Sequence, residues 1–294
     1  MDTIRIATRR SELAIAQANF VGALIGEPFE CVFVTTQGDR DQASSLSVIG
    51  GQGVFTKEVQ QAVLSGAADI AVHSAKDLPS RSHDELVIGA VPTREDPRDV
   101  LVGSTLSNLP DGAVVFTSSN RRKAQLLSLR PDLKILPARG NIATRMKLAK
   151  DGNAVVVAKA ALNRLNLRDY AGEEMPIDSF TPQVGQGVLA IEAHRSNGEI
   201  LSILKTIGDL ATSRVLTCER SFLDRLGAGC TMPVGAICNV KGREVRVDGF
   251  VGLEDGSRLW RASCTGEDPL ACGRELAEKL IGMSGKDFDQ RQRS

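Results

Sequence analysis

The chain has 294 residues, with 36 Lys and Arg against 36 Asp and Glu, and 42% of its residues are hydrophobic. That length exceeds one comfortable core and predicts two or three domains, with ample apolar content to fill them. It opens on Met1-Asp2-Thr3-Ile4-Arg5 with no apolar leader, and no stretch reaches the roughly 18 uncharged apolar residues of a membrane span, so a cytoplasmic protein with no membrane partner is expected.

Short apolar runs at 4–8, 31–36, 69–73, 86–91, 114–117, 154–158 and 188–193 alternate with helical stretches, among them amphipathic ones at 13–24 and 55–64. Alternation of this kind predicts parallel, doubly wound α/β sheets. Ser11 is placed to cap the first of these helices and Gly66 to close the second. Turn-rich punctuation at 92–97 and again at 181–187, followed by one further strand, predicts a second domain inserted into the first, as two lobes with a cleft. Beyond Asp209 the pattern changes to a helix at 211–226, strands at 234–239, 244–251 and 258–265, and a helix at 270–281. With hairpin turns at Lys241-Gly242 and Asp255-Gly256, this describes a small antiparallel α+β domain. The predicted domains are 1–93 with 188–208, then 94–187, then 209–294; no internal repeat is visible.

Charge is segregated although it sums to zero. Between positions 112 and 164 stand eleven Lys and Arg residues against only Asp132 and Asp151. Such a concentration repels itself unless an anionic partner uses it, and arginine suits planar carboxylate or phosphate groups. Thr117-Ser118-Ser119-Asn120-Arg121-Arg122 follows a strand and opens a helix, so free N–H groups, hydroxyls and two guanidiniums converge at the positive end of a helix dipole. Ordinary capping by Ser118 or Ser119 with solvated arginines is the alternative. A second turn of the same design, Leu136-Pro137-Ala138-Arg139-Gly140-Asn141 with Arg145 four residues on, favours an anion site.

His73-Ser74-Ala75-Lys76-Asp77-Leu78-Pro79 ends another strand, where ligands sit in open α/β sheets. A carboxylate set among cations suits stabilising a positive charge that develops on a substrate, which singles out Asp77. Pairing with Lys76, or capping of the next element, is the alternative for Asp77, and packing at a strand end the alternative for His73. Of the six cysteines, Cys31, Cys218, Cys230, Cys238, Cys264 and Cys272, only Cys230 stands on a glycine-flanked loop, Gly227-Ala228-Gly229-Cys230. Reduced thiols are expected throughout, and with neither a CxxC pair nor zinc spacing no metal is expected.

Taken in order, eight segments resemble the porphobilinogen deaminase (hydroxymethylbilane synthase) family. They are RIATRRSELA (5–14), TTQGDR (35–40), ADIAVHSAKDLP (68–79), REDPRD (94–99), TSSNRR (117–122), ARGNIATR (138–145), VGQGVLAIE (184–192) and ERSFLDRLGAGCTMPVG (219–235). The resemblance implies two periplasmic-binding-protein-like lobes and a small α+β C-terminal domain with a three-stranded antiparallel sheet. It implies a monomeric enzyme that adds four porphobilinogen molecules head to tail, each losing ammonia, onto a dipyrromethane cofactor bonded through a thioether to Cys230, and then frees hydroxymethylbilane by hydrolysis. Asp77 matches the family's catalytic aspartate. Lys76, Ser118, Arg121, Arg122 and Gly140 are expected at the cofactor, and Arg9, Ser11, Arg139, Arg145, Arg164 and Gln186 at the substrate. The chemistry agrees with the charge pattern, because porphobilinogen carries acetate and propionate arms and each added ring brings two more carboxylates. In the glycine-rich loop Gly50-Gly51-Gln52-Gly53, Gln52 stands where the family usually has lysine, and Val48 where some members do.

Three other readings share some of these features. A two-lobed anion-binding protein without catalysis would have no use for the third domain. A nucleic-acid binder would use the basic segment, but only eleven residues are Phe, Trp or Tyr and none interleaves the arginines. A cysteine hydrolase pairing Cys230 with His194 rests on the two residue types alone.

Overall fold

The computed structural model describes residues 3–36, 56–79, 83–167, 169–227 and 232–285. The expectations placed on Cys230, Gln52 and Val48 therefore lie outside the described residues. Backbone packing divides the chain into two compact units, Met1–Glu95 with Arg164–Asn166 and Gly187–Ser213, and Asp96–Asn163 with Leu167–Gln186 and Arg214–Ser294.

The first unit is built on β1 (Ile4–Arg9), α1 (Glu12–Ile25), β2 (Phe29–Val34), α2 (Lys57–Leu64), β3 (Ile70–Ser74), β4 (Leu86–Ala90), β10 (Leu189–His194) and α6 (Gly198–Ile207). Its sheet runs β2-β1-β3-β10-β4. β1 pairs in parallel with both β2 and β3, while β10 lies antiparallel to β3 and β4. The sheet is thus mixed rather than purely parallel, because an apolar run shows that a strand is buried without fixing its direction. Ile6, Ile70 and Ile191 have no exposed surface, and Ala18 and Val21 of α1 cover them. Ser11 caps α1 as expected, accepting from Ala14 N at 3.3 Å, and Gly26 ends it in the left-handed region at φ 77°.

The second unit holds β5 (Asp99–Val102), β6 (Val114–Phe116), α3 (Asn120–Leu129), β7 (Lys134–Leu136), α4 (Ile142–Met146), β8 (Ala154–Ala158) and β9 (Gly172–Glu174), with α5 (Lys159–Arg164) ending at the boundary. Its order, β7-β6-β8-β5-β9, repeats that of the first sheet. Three parallel strands are followed by an antiparallel one, β5, and an edge strand that reverses again. The unit also contains the expected three-stranded antiparallel sheet, β11 (Val234–Lys241), β12 (Glu244–Gly252) and β13 (Leu259–Gly266), which has its own core. Against it pack α7 (Leu210–Leu226) through Phe222 and Leu226, and α8 (Pro269–Ser284) through Leu276 and Leu280. Full burial of each such side chain contributes about 1.5–3 kcal/mol. A Cβ at Gly273 would sit 2.2 Å from Cys218 O, so glycine is what lets the two helices touch.

Four thiols, Cys218, Cys238, Cys264 and Cys272, lie in this core. A hydrogen bond with Cys238, together with burial, raises the pKa of Cys218, and burial pushes Cys264 up to about 12, so these groups stay protonated and inert at neutral pH. Among the described residues no helix is long and apolar enough to cross a membrane, and no group of three or more His, Cys, Asp or Glu is arranged to hold a metal ion.

Candidate active site

The parallel pairing of β1 with β3 sets Ile6 against Ile70 and Ala7 against Ala71, so the carboxyl ends of the two strands finish side by side. This is the end of an open α/β sheet where ligands bind. Arg9 closes β1, Ser11 caps the helix that follows, and β3 runs into a single 3₁₀ turn, Ala75–Asp77. Gln17 of α1 donates Nε2 to Ser74 Oγ at 2.8 Å and so fixes the helix to the end of β3. The result is a hollow of about 60 Å³ whose polar lining includes Arg9, Ser11, Gln17, His73, Ser74 and Asp77. Asp77 is half-buried there, and among the described residues no group bonds to its carboxylate. Neither pairing with Lys76 nor capping accounts for it.

Lys76 is half-buried in the same turn. Arg164, at the end of α5, belongs to the first unit and donates Nη2 to Gly187 O at 2.8 Å. Burial pushes its pKa down to about 10 against the opposing pull of Glu95, which leaves it charged at neutral pH.

In the second unit the two basic turns are neighbours because β6 and β7 pair in parallel, Phe116 beside Leu136. Ser118 stitches the turns together, donating Oγ to Ala138 O at 2.9 Å and accepting from Ala138 N at 3.1 Å. Ser119, not Ser118, caps α3, and Asn141 caps α4. Arg139 and Gly140 are exposed at this edge, and Arg145 lies over it with Nε donating to Gly140 O at 2.8 Å. Gly140 is held at φ 92°, and a Cβ would come 2.9 Å from Thr144 Cγ2. No bond or ion pair joins Arg139 to another described residue.

Arg121 and Arg122 depart from the expected open guanidiniums. They are 3% and 8% exposed, and both turn inward onto Asp99, the fully buried first residue of β5. Each donates Nη2 to Asp99 at 2.6 Å, Arg121 Nη1 reaches Thr181 O at 2.6 Å, and Arg122 Nη1 reaches Val156 O at 2.9 Å. Gln186 is likewise buried: it has no exposed surface, and its Nε2 donates to Pro97 O at 2.7 Å and to Asp99 at 3.0 Å. Burial alone would raise Asp99, but the two guanidiniums and Gln186 outweigh it and hold the carboxyl well below the usual range. Burial draws Arg121 down despite Asp99. Two cations against one anion leave the cluster one positive charge in excess, and Arg121 Nε is a buried donor with no partner. Sequence reasoning missed Asp99, although it closes the REDPRD segment and opens an apolar run, the pattern of a charge entering a buried strand.

Replacing Asp99 with Asn leaves two buried guanidiniums uncompensated and is expected to cost about 3–5 kcal/mol. Because the native pKa lies below the unfolded value of about 3.9, this stability is present above that pH and is lost only as acid titrates the carboxyl. The denaturant midpoint at neutral pH measures it, and an unshifted midpoint would show that the arginines find other partners.

These strand ends belong to an α/β protein of two sheet-containing lobes with a three-stranded antiparallel C-terminal sheet. Residues 4–202 match the family described as "Porphobilinogen deaminase, dipyromethane cofactor binding domain", and residues 214–282 match "Porphobilinogen deaminase, C-terminal domain". A porphobilinogen deaminase of Brevibacillus brevis is 43% identical, covering 96% of this chain and 95% of its own length. One of Pelotomaculum thermopropionicum is 42% identical over 99% and 97%. A solved ligand-binding component of an ABC-type import system from Staphylococcus aureus aligns at 12% identity over 76% of each chain with a TM-score of 0.38, too distant to bear on function. The chain belongs to the porphobilinogen deaminase family.

Proposed function

We propose that this chain joins porphobilinogen molecules head to tail, releasing ammonia at each step, on a dipyrromethane anchored through a thioether to Cys230, and frees hydroxymethylbilane, acting as a cytoplasmic monomer. One observation carries the reading: Asp77 stands in a hollow with Arg9 and Ser11 at the carboxyl ends of β1 and β3, its carboxylate bonded to no other described residue. Family membership supports an enzyme of tetrapyrrole synthesis over an anion-binding protein without catalysis.

The donor set of the second unit fits a polycarboxylate pyrrole. Exposed Arg139, half-buried Arg145, the Ser118 turn and the net positive Asp99 cluster with its orphaned Arg121 Nε offer cations and N–H donors along adjoining turns. Ser118, Arg121, Arg122 and Gly140 would hold the dipyrromethane, and Arg139 and Arg145 the arms of the incoming substrate, with Gln186 acting through Asp99. When bound, the cofactor supplies the pyrrole ring that accepts the first substrate.

In the first unit, Arg9 and Ser11 bind the acetate and propionate arms of the incoming molecule, Arg164 adds positive charge, and Lys76 serves the dipyrromethane. Asp77 faces the pyrrole N–H and steadies the positive charge that grows on the substrate as its C–N bond breaks. An ionised group already in place costs no reorganisation at that moment.

Incubating the purified protein with porphobilinogen should yield ammonia and hydroxymethylbilane together; consumption of neither substrate nor product formation over hours would defeat the reading. Arg139→Ala is expected to raise KM about tenfold at near-normal kcat, the loss of one charge-assisted hydrogen bond. A fall in kcat alone would place Arg139 elsewhere in the reaction.

A further inference from the structure

Behind the Asp77 hollow lies a carboxylate with no part in the scheme above. Glu192, on β10, has no exposed surface. His73, on the adjoining β3, brings Nε2 within 3.1 Å of Glu192 Oε2, and Gln60 of α2 donates Nε2 to the same oxygen at 2.8 Å. His73 is 4% exposed, yet it lines the hollow beside Asp77 and Arg9. An apolar pair of equal volume would bind these strands at least as well, so stability does not account for a buried polar pair here.

We propose that His73, oriented by Glu192, is the base that takes the proton lost as each new ring is joined. This rests on the reading of the chain as a porphobilinogen-condensing enzyme. In each cycle the C–N bond of the incoming substrate breaks and its electron pair leaves with ammonia. The electron-poor methylene carbon forms a bond to the unsubstituted α-carbon of the acceptor ring. The C–H bond at that carbon then breaks, its electron pair restores the aromatic ring, and its proton passes to His73 Nδ1 and on to water.

Two groups with separate tasks explain the geometry better than one. Asp77 must stay ionised while the positive charge exists, and a carboxylate that also collects the proton is neutral when the next substrate arrives. A neutral imidazole whose Nε2–H faces a carboxylate presents Nδ1 as an acceptor, the logic of an oriented histidine base. The Nε2 approach to Glu192 has the right distance but not an aligned N–H, and such bonds commonly tighten when substrate binds.

The test uses His73→Gln and Glu192→Gln in the full chain. The second change removes the negative charge that favours the Nε2–H tautomer while keeping an oxygen that Gln60 can reach. In both variants kcat should fall on the order of 10²-fold with KM within about twofold. Porphobilinogen deuterated at its unsubstituted α-carbon should then react more slowly than the protiated substrate, because proton removal has become limiting. Independently of turnover, the ¹⁵N spectrum of His73 should show the Nε2–H tautomer in the wild-type protein and a larger Nδ1–H fraction in Glu192→Gln. If His73→Gln does not melt cooperatively, Glu192→Gln carries the test. Wild-type kcat in the variants, no deuterium effect, or a protonated Nδ1 in the wild type overturns the assignment alone. A wild type that makes no tetrapyrrole overturns the functional reading and this assignment with it.

Discussion

Asp77→Asn is expected to lower kcat by about 10²–10³-fold, the scale of losing one preorganised group that faces transition-state charge. The change is isosteric and removes an anion without removing volume. It also removes no bond to a described residue, so stability should move by no more than about 0.5 kcal/mol. KM should change little, because Arg9 and Ser11, the proposed binding contacts, are untouched. Ammonia release under saturating substrate, with a thermal melt alongside, separates the two quantities. Near-normal turnover in a folded variant would remove Asp77 from the chemistry, and a large drop in melting temperature would give it a structural role instead.

The second large effect is expected at Cys230. Intact-mass measurement of purified wild-type protein should show the polypeptide plus two linked pyrroles, and Cys230→Ser should show the bare polypeptide and no turnover. The remaining thiols make poor rivals. Cys218, Cys238, Cys264 and Cys272 are buried in the C-terminal core, so alkylation there would disrupt packing before it could anchor anything. Cys31 is half-buried on β2, and Cys31→Ser should therefore keep the adduct. A bare mass in active wild-type enzyme, or an adduct that survives in Cys230→Ser, would refute the thioether at this position.

Much of this architecture could be read from residue order because its signals are local. Apolar runs marked β1, β3, β4, β8 and β10 to within about a residue or two, and the turn chemistry at Gly242 and Gly256, both at positive φ, marked the C-terminal hairpins. The 117–122 and 137–141 turns could be paired on paper because each follows a strand and opens a helix. What escaped was non-local. β5 and β9 span four and three residues, too short for periodicity to register, and they are strands because long-range partners complete them. Arg121 and Arg122 looked like open ligands because their partner, Asp99, is more than twenty residues away in sequence. The same blindness hid Gln17, Gln60 and Glu192, polar residues in apolar settings whose partners come from other elements. The matching strand order of the two sheets was also invisible, because it is a repeat of topology without a repeat of residues.

The position of β10 in the first sheet has a temporal consequence. This strand fills the gap between β3 and β4, yet it emerges from the ribosome almost a hundred residues after β4. Until then the nascent amino-terminal lobe has two strand edges with no partner, while β5 to β9 can already assemble behind it. The lobe begun first is therefore finished second, and in that interval the exposed edges of β3 and β4 are where a stalled or truncated chain would recruit a neighbour and aggregate.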